Sequence, residues 1–297
     1  MKKLTLIISI LAIALTLSAC GNKTANVSHN DVLIQFGKNK ITTSDLYYQM
    51  LEADKGATVI NQVAKYILDQ EIETTDEILA EAEKQLADIK VEMEGDLSSL
   101  MKSYGFETEE ELLQQIIYSV KSDKLIDKYI STNLDSIYEQ YKPFKAQMIY
   151  IEINSTDDPD GEAAKQEAQL VVDLLKSGAS FEEVSKEHSD KTSYGTETLY
   201  TTESKLDYNV LAYAQSVSSP ALSDIILNNN KTGYYVVQVT VTNKEQLKED
   251  FISSLKNNSD FTSLVENSYF RDHNFQLYDI LTYTYIDNNY SEYLSND

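Results

Sequence analysis

The spacing of apolar and polar positions changes character several times along this chain. After a mostly polar stretch, 22–30, the run Val32-Leu33-Ile34-Gln35-Phe36 predicts a short strand, ended by Gly37-Lys38-Asn39-Lys40. Thr43 or Ser44 is placed to cap a helix that starts near Asp45-Leu46. Helical periodicity then continues to Tyr141: Val59, Ile60, Val63, Ile67 and Leu68 share one face, as do Ile78, Leu79, Ala82 and Leu86. Thr75-Asp76-Glu77 opens a helix with acids in its first turn, and Thr108-Glu109-Glu110-Glu111 fits a capping box. Gly105 suits the helix end before it, and Pro143 closes the region.

From Lys145 to Ile153 the period becomes two, with Ala146, Met148 and Tyr150 on one face and Gln147, Ile149, Ile151 and Ile153 on the other. An acidic turn at 157–161 leads into a helix ending at Gly178. Ser180-Phe181-Glu182-Glu183 reads as another capping box, and 195–206 as polar and irregular. A second strand spans 233–241, and helical spacing returns at Leu247, Phe251, Ile252 and Leu255, then at Phe261, Leu264 and Val265. The chain thus reads as α+β: two mostly helical segments, 31–142 and 243–297, with an α+β module, 143–242, inserted between them.

The first thirty residues change where this fold is expected to work. Lys2 and Lys3 precede an apolar stretch, 4–17, too short for an ordinary membrane span, so 1–19 reads as a secretory signal. Its end, Leu17-Ser18-Ala19-Cys20, resembles a bacterial lipobox, which implies cleavage before Cys20 and a lipid on its sulfur. An ordinary cleaved signal with an incidental cysteine is the competing reading. Leu17 is too large for the small-x-small site of that peptidase, and no second cysteine exists for Cys20 to pair with. Residues 20–30 then read as a tether from the membrane on the extracytoplasmic side.

Composition narrows the partners. The chain carries −23, and removing Lys2 and Lys3 with the signal leaves −25. Nucleic acid is disfavoured as a partner, and so is direct docking on an anionic membrane face. Arg271 is the sole arginine, which excludes an arginine cluster for phosphate. The acidity suits either attraction of basic unfolded chains or solubility beside an anionic envelope. His29, His188 and His273 show no metal-ligand spacing with one another, and no cofactor is implied. Asp158, Asp160, Gly161 and Glu167 match part of a calcium-loop pattern. Thr156 stands at its first position and Pro159 interrupts it, and an acidic turn capping a helix accounts for the same residues. Nucleotide-loop, dinucleotide and hydrolase motifs are absent from the sequence.

Four strings carry a family resemblance: 36–46 (Phe36-Gly37-Lys38-Asn39-Lys40-Ile41-Thr42, then Ser44-Asp45-Leu46), 141–146 (Tyr141-Lys142-Pro143-Phe144-Lys145-Ala146), 180–190 (from Ser180-Phe181-Glu182 to His188-Ser189-Asp190) and 232–239 (Thr232-Gly233-Tyr234-Tyr235-Val236-Val237-Gln238-Val239). In this order, behind a lipobox, they resemble the extracytoplasmic foldase lipoproteins of the PrsA type, related to the periplasmic chaperone SurA. The resemblance implies a helical chaperone domain, an inserted parvulin-type prolyl isomerase module, and exported proteins as clients on the outer face of the cell membrane, in a Gram-positive cell. A homodimer is compatible with it.

The family's pocket residues do not carry over. By this resemblance the first-strand histidine falls on Met148, the Asp or Cys on Lys191, the last-strand histidine on Tyr235, and the pocket's Met and Phe near Leu206 and Val210. No catalytic residue is therefore assigned. The five positions stand as candidate peptide contacts of a degenerate parvulin pocket, with ordinary strand and core roles as the alternative. Three functions compete: a chaperone with a silent parvulin module, a peptidyl-prolyl isomerase with a rearranged site, and a ligand-capturing lipoprotein.

Overall fold

The computed structural model describes residues 30–93, 96–154, 156–191 and 195–294. The signal 1–19, Cys20 and His29 lie outside the described residues. Two compact units are present, one joining the chain up to Tyr129 with the chain from Ser259 onward, the other spanning Ile130–Asn258.

The first unit begins with a hairpin, β1 (Val32–Phe36) against β2 (Asn39–Thr42). The stretch expected only to end a strand therefore supplies a second one, because Gly37, at φ +61°, lets the chain reverse within two residues. Helix α1 (Thr43–Asp54) is capped by Thr42 rather than by Thr43 or Ser44. Thr42 Oγ1 accepts from Asp45 N, and the Asp45 carboxylate accepts from Thr42 N at 2.8 Å. Helices α2 (Ala57–Glu71), α3 (Asp76–Glu92), α4 (Leu97–Ser103) and α5 (Glu109–Tyr141) follow. Thr75 caps α3 as the sequence predicts. At α5, Thr108 Oγ1 accepts from Glu111 N at 3.2 Å, but the Glu111 carboxylate reaches past Thr108 to Glu107 N at 2.7 Å. Gly105, at φ +74°, lets Phe106 N donate to Met101 O at 2.8 Å and turn its ring inward.

Two apolar clusters of described residues pack within this unit. One packs α3 and α4 on the start of α5 through Ile78, Leu86, Leu97, Leu112 and Ile116. The other joins Ile60 and Ile67 of α2 to Phe270 of α10 (Ser259–His273) and Ile286 of α11 (Ile280–Tyr290). Segments from the two ends of the chain thus share one core. Polar clips reinforce the closure: Tyr48 Oη donates to Asp279 Oδ1 at 3.0 Å, and Asp279 Oδ2 caps α11 by accepting from Thr282 N at 2.8 Å. Glu71 accepts from Lys128 Nζ at 2.7 Å and lies 2.9 Å from His273 Nε2.

The second unit is built on an antiparallel sheet in which β3 (Phe144–Glu152) and β7 (Gly233–Val241) pair along most of their length. Short strands flank them: β4 (Thr198–Tyr200) beside β3, and β5 (Ala221–Leu222) and β6 (Ile226–Leu227) beside β7. Helices α6 (Glu162–Lys176) and α7 (Phe181–His188) cover the face bearing Ile149, Ile151 and Val236. Helix α8 (Tyr208–Ser216) lays Val210 and Ala214 on the opposite face, beside Ala146, Met148 and Tyr150. The alternation along β3 is therefore observed as read. Residues 195–206 are not wholly irregular, since Thr198–Tyr200 pairs with β3, and α8 has no counterpart in the sequence reading. Ser180 stands at the start of α7 without a side-chain capping bond. Helix α9 (Lys244–Lys256) also belongs to this unit, with Phe251 fully buried against Tyr138 at 4.8 Å and Tyr141 at 6.1 Å between ring centroids.

Candidate peptide-binding site

The site lies on the α8 face of the sheet. Strand register sets its floor: Met148 is opposite Val237 and Tyr150 opposite Tyr235, so Met148 and Tyr235 are diagonal neighbours across β3 and β7. Val210 reaches the same cluster from α8 and Leu206 from the segment before it. Asp207 fixes that helix, accepting from Asn209 N at 2.9 Å and from Asn229 N at 2.8 Å, while Asn209 Nδ2 donates to Leu227 O at 2.9 Å. Four of the five candidate positions, Met148, Leu206, Val210 and Tyr235, thus come from three separate chain segments into one cluster.

Lys191 joins them indirectly. The segment 189–191 is fastened along β3: Tyr150 N donates to Ser189 Oγ at 3.2 Å, Asp190 N to Tyr150 O at 2.8 Å, and Glu152 N to Asp190 Oδ2 at 2.7 Å. This places Lys191 Nζ 4.3 Å from the centroid of the Tyr150 ring, in cation–π contact. The Tyr150 ring in turn tilts against Tyr235, with centroids 4.7 Å apart.

Tyr150 is the residue that the sequence reading left out of the site. Its signal was present, two positions from Met148 on the same strand face. Its ring is admitted by Gly233, where a Cβ would lie 2.4 Å from both Cζ and Oη of Tyr150. Beyond that gap the Tyr150 hydroxyl donates to Thr232 O at 3.1 Å. Met148 and Val210 are fully buried and Tyr150 and Tyr235 nearly so, whereas Leu206 is half-buried and Lys191 exposed. Among the described residues, the space between sheet and α8 is therefore filled by the protein's own side chains, and its partly exposed margin includes Leu206, Leu211 and Tyr213, with Lys191 exposed beside it. At the edge of the cluster the Tyr213 hydroxyl is buried without a hydrogen-bond partner, and burial, with Asp224 nearby, pushes its pKa up.

The remaining sequence candidates have local roles. The Asp158 carboxylate accepts from Ala163 N at 3.1 Å and Ala164 N at 2.9 Å, which lowers its pKa, so it caps α6. Glu167 lies 2.5 Å from His188 Nδ1, which ties α6 to the end of α7. Among the described residues, no group of His, Cys, Asp and Glu could hold a metal ion, and no helix is long and apolar enough to cross a membrane.

Residues 132–245 match the family described as the PPIC-type PPIASE domain. Foldase protein PrsA 2 of Bacillus cereus is 24% identical over 249 residues, covering 82% of this chain and 78% of that protein. Foldase protein PrsA of Streptococcus mutans is 25% identical over 315 residues, covering 94% and 85%. A crystal structure of peptidylprolyl isomerase (PrsA) from Bacillus cereus shares the fold, with a TM-score of 0.53 at 19% identity over 88% of this chain and 99% of that one. Domain match, relatives and fold agree with the order of elements described above, and over most of its length this chain is similar to PrsA-type foldases.

Proposed function

We propose that the protein is a lipid-anchored extracytoplasmic chaperone for exported chains whose parvulin module is catalytically silent. The foldase relatives and the PPIC-type domain support the foldase part of this reading. The observation that carries the silence is the filled site. Prolyl isomerisation must overcome a barrier of about 18–20 kcal/mol set by amide resonance, which requires the proline ring and a twisted amide to be held among hydrogen-bonding groups. Here Met148 and Tyr235 stand where the resemblance puts histidines. The Tyr150 ring fills the gap over Gly233, and its hydroxyl is committed to Thr232. Assistance then comes from transient burial of client apolar segments, and the sequence carries no nucleotide-binding motif to drive their release. The lipobox reading of Cys20 supports anchoring at the membrane, which keeps the protein where exported chains emerge.

Two assays on the unlipidated mature chain test this reading. It should suppress aggregation of a proline-poor unfolded client. It should also leave cis–trans relaxation of a short prolyl peptide at the uncatalysed rate. An isomerase signal that disappears on changing Tyr235 or Met148 would overturn the silence and favour a rearranged active site.

A further inference from the structure

We propose that the β1–β2 hairpin is a membrane-contact element whose apolar face and lysine tip dock on the anionic bilayer beside the lipid anchor. Ile34 and Phe36 lie on one face of β1 and Ile41 joins them opposite Ile34, while a register shift between Val32 and Ile34 breaks the alternation before them. Their exposures are 55% for Ile34, 84% for Phe36 and 38% for Ile41, so this face is uncovered by the described residues. Among the described residues, nothing is packed on this sheet face of three large apolar side chains; the other run of exposed apolar side chains, Tyr278, Ile280, Leu281 and Tyr283, carries no lysine.

Two features commit this face to lipid rather than to another protein. The first is position. Cys20 lies only twelve residues before Val32, and fully extended chain of that length spans about 40 Å, so an anchored chain cannot carry the hairpin far from the bilayer. The second is local charge. Lys38 follows Gly37 in the turn and Lys40 pairs opposite Gln35, while Asp31 sits at the base and the Asp45 carboxylate is bonded to Thr42. The hairpin tip is thus cationic although the chain is not. At physiological salt, charges are screened beyond about 8 Å, so the distant acids weigh little against two lysines at the surface. Each such lysine strengthens binding to an anionic leaflet about fivefold. An exposed phenylalanine at a cationic tip suits the headgroup–acyl boundary.

The inference rests on the anchor reading for its proximity argument, and the test separates the two. The chain has no tryptophan and one cysteine, so Phe36→Trp provides a single fluorescent probe and Cys20 a single coupling point. The unlipidated mature chain is coupled through Cys20 to a maleimide lipid. It is placed in vesicles of phosphatidylcholine alone or with phosphatidylglycerol, and circular dichroism confirms its fold. The expected result is a blue-shifted emission that brominated acyl chains quench, only with phosphatidylglycerol, with partitioning weakened about fivefold by Lys38→Gln or Lys40→Gln. A matching Tyr278→Trp probe, at a residue 91% exposed, should report water throughout. Emission unchanged by vesicles overturns the proposal. So does a blue shift that grows with protein concentration in the absence of lipid, which would mean that a second copy covers the face. Intact mass of the chain recovered from cell membranes tests Cys20 lipidation independently of either result.

Discussion

Gly233→Ala is the substitution that most directly interrogates the closed site. The added Cβ would lie 2.4 Å from Cζ and Oη of Tyr150 and 2.6 Å from the Ile151 carbonyl oxygen. The tyrosine ring can swing but the carbonyl belongs to the paired strand, so relief requires both a rotamer change and separation of β3 from β7. Overpacking of this kind costs about 1–3 kcal/mol, and losing the Tyr150–Thr232 hydrogen bond adds about 1 kcal/mol. The expected loss is about 2–4 kcal/mol, or a fall in Tm on the order of 10 °C for a unit of this size. Urea unfolding followed by circular dichroism measures it. Tyr150→Ala alone should cost about 3–5 kcal/mol. Because both changes displace the same ring, the double variant should fall short of the sum by at least about 1 kcal/mol. A loss below about 0.5 kcal/mol for Gly233→Ala, or strict additivity in the cycle, would refute the claim that Tyr150 occupies the space over Gly233.

Met148→Ala should destabilise the same unit by about 2–5 kcal/mol, because the side chain is wholly buried and its removal leaves a cavity; thermal unfolding checks this. Asp279→Ala should cost about 0.5–2 kcal/mol through loss of the α11 cap, and limited proteolysis should then cut near residue 280 sooner than in the parent. Glu71 should mark the acid limb of stability. The bond from Lys128, with His273 adding to it, holds its carboxyl below the ordinary value of 4.5. A carboxyl depressed in the fold contributes stability above its unfolded pKa and loses it as pH falls through the folded one. Urea unfolding of Glu71→Gln should therefore show a shallower decline in stability below about pH 4.5 than the parent. An equally steep decline would remove Glu71 from that role.

Local pattern sufficed for much of this protein, for reasons visible in particular residues. The bounds of β7 follow from its run of β-prone residues, and the two faces of β3 from alternation, since a pleated strand leaves each side chain only two directions. Thr75 caps its helix as read because the bond closes within three residues. The order of segments, with helical ends around an α+β insertion, was also legible, whereas Met148, Leu206, Val210 and Tyr235 were grouped only through the family resemblance. Tertiary structure decided the rest. Thr198–Tyr200 is a strand only because the edge of β3 lies beside it, and α8 is too short for its period to stand out. Ser180 looked like a cap but makes no capping bond, whereas Thr42 caps through a box with Asp45. Above all, whether the site is open depended on a contact between Tyr150 and Gly233, 83 positions apart in sequence. No window of sequence contains both residues, and only the β3–β7 register brings the ring over the glycine that makes room for it.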